Sequence, residues 1–208
     1  MSESIAQKTI TTSFWLALSK FFNMGISFVI TMLLARLLTP SDYGAVALLG
    51  VFFAIAGSFS ECGFRNALIR KEKCSQADYS TAFFYNVSVS VLLYVVLYLC
   101  APLVADFYDM PILTPVMRVS GISLIIGAVN ITQSVQLTRK LDFKRPALIS
   151  SATGILSGIA GVIAAFYGLG VWALVVQGLV SALLGSLTLI YIVRWKPTLE
   201  ISRDSFRY

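Results

Sequence analysis

The chain has 208 residues, 57% of them hydrophobic and 12% charged, with a net charge of +6 and no histidine. Soluble domains use roughly 45–50% apolar residues, so this composition excludes an ordinary globular protein. The missing histidine removes the commonest general base and the usual imidazole nucleophile pairs, and Cys62, Cys74 and Cys100 lack the spacing of a zinc site or a disulfide framework.

Six apolar stretches follow one another: 12–38, 43–66, 79–104, 113–136, 147–167 and 168–194. Each reaches the roughly 20 residues that a helix needs to cross hydrocarbon. The first is too long for a signal peptide and no small-residue cleavage site follows it. At 100° per residue, Ser13, Lys20, Asn23, Ser27 and Thr31 form a polar stripe along it, while Arg36 in its last turn is placed to snorkel to the interface.

Thr39-Pro40-Ser41-Asp42 then reads as a helix start, with a capping hydroxyl, a proline in the first turn and an acid close behind. The second span carries Tyr43, Ala47, Gly50, Ala54, Gly57, Ser58, Glu61 and Arg65 on one small and polar face. Glu61 and Arg65 lie four apart with the acid first, the favourable order for an ion pair.

Ser75 and Asp78 are suited to begin the third span, and Thr114-Pro115 the fourth. The fourth has a stripe of Ser120, Ser123, Gly127, Asn130 and Ser134. Arg118 falls on its opposite face, where it either reaches head groups or marks a different cavity wall. Arg145-Pro146 opens the fifth span. Tyr167-Gly168-Leu169-Gly170 is so short a link that the last two spans must form an antiparallel hairpin, and Gly154, Gly158, Gly161, Gly178, Ala182 and Ser186 suit close packing of helices there. Basic residues recur after the sixth span, in a segment over 201–208 that reads as the lead-in to another.

The charges between the spans are sorted by side. Segments 67–78, 137–146 and 195–208 carry Arg70, Lys71, Lys73, Arg139, Lys140, Lys144, Arg145, Lys196, Arg203 and Arg207. Segments 39–42 and 105–112 carry only Asp42, Asp106 and Asp109. Basic residues mark the cytoplasmic side, so both termini are expected there. The positive balance is then a matter of topology and of contact with anionic lipid head groups, with no nucleic acid implied. The expected fold is all-α, a polytopic membrane protein of six helices in one lobe.

Lys20, Glu61, Arg65 and Arg118 lie within spans. An ionised group near the bilayer centre costs at least about 2.5–3.5 kcal/mol, so each needs water or a partner. The first, second and fourth spans each offer a polar face, and the first two bring a cation to it. A cationic, hydrated pocket of that kind suits an anionic head group on a lipid or solute. Lys20, Arg65, Asn23 and Ser27 are the candidate binding residues, Glu61 a charge-balancing or ion-coupling group, and Arg118 and Asn130 secondary candidates. Nothing implies a cofactor, a metal or a catalytic residue.

Trp15, the run Leu34-Ala35-Arg36-Leu37-Leu38-Thr39-Pro40-Ser41-Asp42-Tyr43-Gly44, the segment Gly63-Phe64-Arg65-Asn66-Ala67-Leu68-Ile69-Arg70-Lys71 and the run Arg139-Lys140-Leu141-Asp142-Phe143-Lys144-Arg145 resemble the polysaccharide biosynthesis family. These are Wzx-like flippases of the MATE-related superfamily, in the branch serving colanic acid and other lipopolysaccharide or exopolysaccharide repeat units. The resemblance implies a transporter of the bacterial inner membrane and no enzyme. Its substrate would be an undecaprenyl-pyrophosphate-linked oligosaccharide, moved between leaflets by alternating access of two six-helix lobes. It also implies that Lys20 and Arg65 hold the pyrophosphate and sugar, and that partners include membrane lipids, a C-terminal lobe or second subunit, a polymerase and other glycan-assembly proteins. This chain offers one lobe, the N-terminal one, which leaves a non-transporting scaffold as an alternative. A MATE-type exporter is a further alternative, though its cavity should favour acids. A membrane polymerase or acyltransferase wants a large loop or a His/Asp cluster, and neither is present.

The charge asymmetry makes a direct prediction. In a cysteine-free background, cysteines replacing Asp42 and Asp109 react with an impermeant thiol reagent added from the periplasm, and those replacing Lys73, Asp142 and Glu200 do not. Labelling of position 142 from outside would reverse the orientation.

Overall fold

The structure, a computed structural model, describes residues 21, 23–60, 76–139 and 144–193. Among them the chain is all helix and turn: α1 (Asn23–Leu37), α2 (Pro40–Ser60), α3 (Gln76–Phe107), α4 (Leu113–Ser120), α5 (Ile122–Arg139), α6 (Lys144–Phe166) and α7 (Val171–Val193). The segments Pro40–Ser60, Gln76–Phe107, Leu113–Leu137, Pro146–Phe166 and Val171–Val193 are each long and apolar enough to cross a membrane. The shorter α1 is apolar too; positions 12–20 and 22 of the first predicted span, and 61–66 of the second, lie outside the described residues.

The surface is inverted relative to a soluble protein. Phe21, Phe28, Leu103, Phe107 and Phe166 are all more than two-thirds exposed. The buried positions are rich in alanine and hydroxyl residues: Ala45, Ala82, Ala101, Ala105, Ala128 and Ala173, with Ser80, Ser90 and Thr132. Lipid tails are as apolar as leucine, so helices associate by close approach and interhelical polar contacts, and small side chains belong inside. The chain is a multi-pass membrane protein.

Local chemistry sets the helix ends. α2 starts at Pro40, where the Thr39-Pro40-Ser41-Asp42 sequence places a helix start, and Thr39 and Asp42 close a reciprocal capping pair. The Asp42 carboxylate accepts from the Thr39 backbone N–H (2.9 Å) and hydroxyl (2.7 Å), and Thr39 Oγ1 accepts from the Asp42 N–H at 3.3 Å. The same carboxylate also accepts the backbone N–H of Val171, at the start of α7. It thus satisfies orphan donors at two helix N-termini and ties α2 to the turn between α6 and α7.

That turn is a Schellman cap. Gly168 takes φ +73°, its N–H reaches Ala165 O (2.9 Å), and the Leu169 N–H reaches Ala164 O (3.3 Å). α3 closes in the same way, with Asp109 at φ +51° and bonds from Asp109 to Asp106 O (3.3 Å) and from Met110 to Ala105 O (3.0 Å). Met110 packs on the core that includes Ala105. At α4, the cap is Ile112 and makes no side-chain bond, so Thr114 and Pro115 lie inside the first turn and do not precede it.

α6 and α7 form the predicted hairpin and pack along their lengths. α3 and α5 run antiparallel, with contacts at Tyr98–Arg118, Tyr94–Gly121 and Ala82–Val135 that mark one register. Gly121 separates α4 from α5 within the predicted fourth span, and a Cβ there would stand 2.8 Å from the Tyr94 ring. Of the glycines on α6, Gly158 gives its space to Ile30 of α1, and Gly161 faces Gln177 of α7, where an added Cβ would stand 2.9 Å from the Gln177 Cβ. Gly154 has no such neighbour. One core cluster joins α2, α3, α4 and α7 near the Asp42 end; another joins Leu34 and Leu38 of α1 to Ala164, Ala165 and Ala173.

Asp42→Ala removes acceptors from two helix starts at once. It is expected to destabilise the purified protein by about 1–2 kcal/mol, the upper range for a lost cap, with Ser41→Ala close to wild type. Thermal unfolding in mild detergent measures this, and equal midpoints for the two variants would contradict the clasp.

Candidate functional site

α4 and α5 have two working faces. Arg118, Gly121 and Val135 turn toward α3. About half a turn round the helix, Ser120 and Ser123 line a cavity of about 180 Å³ between α2, α4, α5 and α7. Gly50 and Phe53 of α2 and Val175 and Gly178 of α7 complete much of its wall. Gly50 belongs to the small face read on the second span, and the two serines to the stripe read on the fourth. The wall is chiefly apolar, and the serine hydroxyl of Ser123 is spent on the Ser120 carbonyl at 2.6 Å.

Among the described residues no titratable side chain lines this cavity. Those residues offer it room and a few weak dipoles. Among the described residues no three His, Cys, Asp or Glu side chains gather as metal ligands.

The predicted site residues are spread over several surfaces. Lys20, Glu61 and Arg65 lie outside the described residues. Asn23 is half-buried on α1 and Ser27 exposed. α1 borders a separate apolar groove of about 460 Å³, lined by Phe21, Gly25, Val29 and Ile30 with Ile155 and Ile159 of α6. Asn130 is half-buried on the stripe side of α5, and its Oδ1 is buried without a hydrogen-bond partner. Arg118 stands on the α3 side, its guanidinium 4.2 Å from the centroid of the Tyr98 ring.

The sequence reading missed a polar seam through α2, α3 and α5. Ser60 and Ser90 share a buried hydroxyl–hydroxyl bond. One turn along α3, Asn86 is buried with its Oδ1 unpartnered, and on α5 Thr132 Oγ1 and Gln133 Oε1 are likewise buried and unpartnered. A buried polar atom without a partner costs about 1–3 kcal/mol, so the seam is where water or a rearranged neighbour would be favoured. The available signal was Asp78, Ala82, Asn86 and Ser90 at spacing four, a small and polar row in an otherwise large-apolar span.

Comparison with known proteins adds a family. Residues 33–208 match the family described as polysaccharide biosynthesis protein. The succinoglycan biosynthesis transport protein ExoT of Rhizobium meliloti is 26% identical over 99% of this chain and 44% of its own length. The lipopolysaccharide biosynthesis protein WzxC of Escherichia coli is 21% identical over 88% of this chain and 36% of its own. The teichuronic acid biosynthesis protein TuaB of Bacillus subtilis is 26% identical over 74% and 32%. The chain thus spans less than half the length of these curated relatives. No solved structure matches it. With helical spans and bacterial relatives, it belongs to the cytoplasmic membrane, since proteins of the bacterial outer membrane cross it as barrels.

Proposed function

This chain belongs to the polysaccharide biosynthesis protein family, and we propose that it forms one lobe of a transporter that moves a lipid-linked oligosaccharide between the leaflets of the cytoplasmic membrane. The observation that carries this reading is the alignment of almost the whole chain with a relative named as a succinoglycan biosynthesis transport protein. A bundle with large apolar side chains outside and helices long enough to cross a membrane agrees with that reading.

In this reading the cargo is a saccharide on a polyprenyl diphosphate, a flexible anion on a long apolar tail. Lys20 and Arg65 supply the charge that draws the diphosphate in, and Asn23 and Ser27 give neutral hydrogen bonds along the same stripe. Glu61, four residues before Arg65, balances its charge or couples an ion. Asn130, with its unpartnered carbonyl oxygen, serves a sugar hydroxyl from the opposite wall. A second lobe closes the passage, because transporters built of repeats place their sites where the repeats meet. Undecaprenyl is the carrier that the family resemblance favours.

The test is polymer export in cells that depend on this chain together with its second lobe. Lys20→Ala is expected to lower exported polysaccharide at least about tenfold, which corresponds to roughly 1.4 kcal/mol of lost substrate interaction. Phe21→Ala, one residue on at a side chain 73% exposed, should stay near wild type. Equal export by the two variants, at equal protein levels, would remove Lys20 from the site.

A further inference from the structure

Arg118 is a cation inside a span, and among the described residues no anion pairs with it. Its Nε is buried without an acceptor, and its guanidinium lies over the Tyr98 ring. The acids at this end are otherwise placed. Asp106 and Asp109 are exposed and make no ion pair with it among the described residues, and Asp42 is held by Thr39 and Val171. A cation–π contact is worth about 0.5–2 kcal/mol, less than the cost of placing an arginine in hydrocarbon. Something else must pair with this guanidinium.

Helix lengths say what is within reach. α3 has 32 residues, so it measures about 48 Å against a hydrocarbon thickness of about 30 Å. Shared equally, the excess leaves about 9 Å of helix beyond the hydrocarbon at each end. Tyr98, nine residues before the last residue of α3, then lies only about 4–5 Å inside the boundary. Side chains lean toward the N-terminus of their own helix, and α4 begins at this same end, so Arg118 leans toward the head groups. Around it Tyr98 is 42% exposed, and Leu99 and Leu103 about two-thirds exposed, as a lipid-facing surface requires.

We propose that Arg118, with its guanidinium carbon over the Tyr98 ring, is a binding site for the phosphate of a membrane lipid in the leaflet at the Asp42 end of the bundle. With Nε buried, the two terminal Nη groups are the donors left for a lipid, and terminal guanidinium N–H groups grip phosphate oxygens in pairs. The Tyr98 ring holds the guanidinium in place beside the lipid. The phosphate is either the diester of a bulk phospholipid or the diphosphate of a carrier lipid arriving at that leaflet. The site stands on the face turned away from the cavity, and it does not depend on the transport reading.

Native mass spectrometry and thermal unfolding of the purified chain in neutral detergent test it. The probes are palmitoyl-oleoyl phosphatidylglycerol, undecaprenyl diphosphate and, as a phosphate-free control, palmitoyl-oleoyl glycerol. At least one phosphate lipid is expected to bind and raise the unfolding midpoint while the control does not. Arg118→Gln should weaken that binding at least tenfold. Arg118→Lys, which keeps the charge but loses the paired edges, and Tyr98→Leu should each weaken it several-fold while leaving the helix content intact. Response to phosphatidylglycerol identifies a bulk-lipid site, and response to the diphosphate alone a carrier-lipid site. Binding unchanged in Arg118→Gln, or an equal shift with the phosphate-free control, overturns the proposal.

Discussion

In hydrocarbon a polar atom has no solvent to turn to, so a membrane bundle must close its backbone bonds within each helix and gather its polar side chains between helices. The distribution of residues here follows from that demand. Large apolar side chains such as Phe28, Leu103 and Phe166 face outward, while alanines, serines and threonines fill the interior. At the ends of the helices, where the backbone runs out of partners, the chain uses compact devices. Two Schellman turns serve the C-termini of α3 and α6, and one carboxylate, that of Asp42, serves the N-termini of both α2 and α7. Helices far apart in sequence are thereby fixed at one end of the bundle.

The same demand divides α4 and α5 into two faces with different tasks. Toward α3 they present a packing surface, with Gly121 yielding its space to Tyr94 and the Arg118 guanidinium over the Tyr98 ring. Toward α2 and α7 they present serines and a cavity. A helix pair that packs on one side and leaves room on the other is a suitable wall for a pathway: one face holds it in place while the other stays unfilled. Buried polar side chains also lie inside: the Ser60–Ser90 hydroxyl bond joins α2 to α3, and Asn86 of α3 and Thr132 of α5 are buried with an unpartnered oxygen each.

Much of this architecture is legible in the residues. Spans announce themselves by length, because hydrocarbon thickness is fixed. The start of α2 and the α6–α7 hairpin are legible because Thr39, Asp42 and Gly168 act on neighbours only a few residues away. Contacts between spans are harder, since they depend on rotation and register that no local pattern specifies. The stripe of Ser120, Ser123 and Asn130 is visible by helical periodicity, yet that its two serines share a cavity with Gly50 and Gly178 is not. The row of Asp78, Ala82, Asn86 and Ser90 was overlooked because large apolar residues surround it in sequence, although they turn outward in space. The break at Gly121 was missed for a related reason: only the approach of Tyr94 shows why a side chain is absent there.

The account rests on the claim that this bundle is half of a passage for a lipid-borne saccharide. The direct measurement is leaflet exposure in proteoliposomes. A fluorescent oligosaccharide on undecaprenyl diphosphate is loaded with this chain alone, or with this chain and a co-expressed second lobe, and an impermeant quencher reports the outward-facing fraction. The account predicts rapid additional exposure of the labelled lipid when both lobes are present, and only the slow background rate with this chain alone. No exposure with both lobes, or full exposure by this chain unaided, would contradict it.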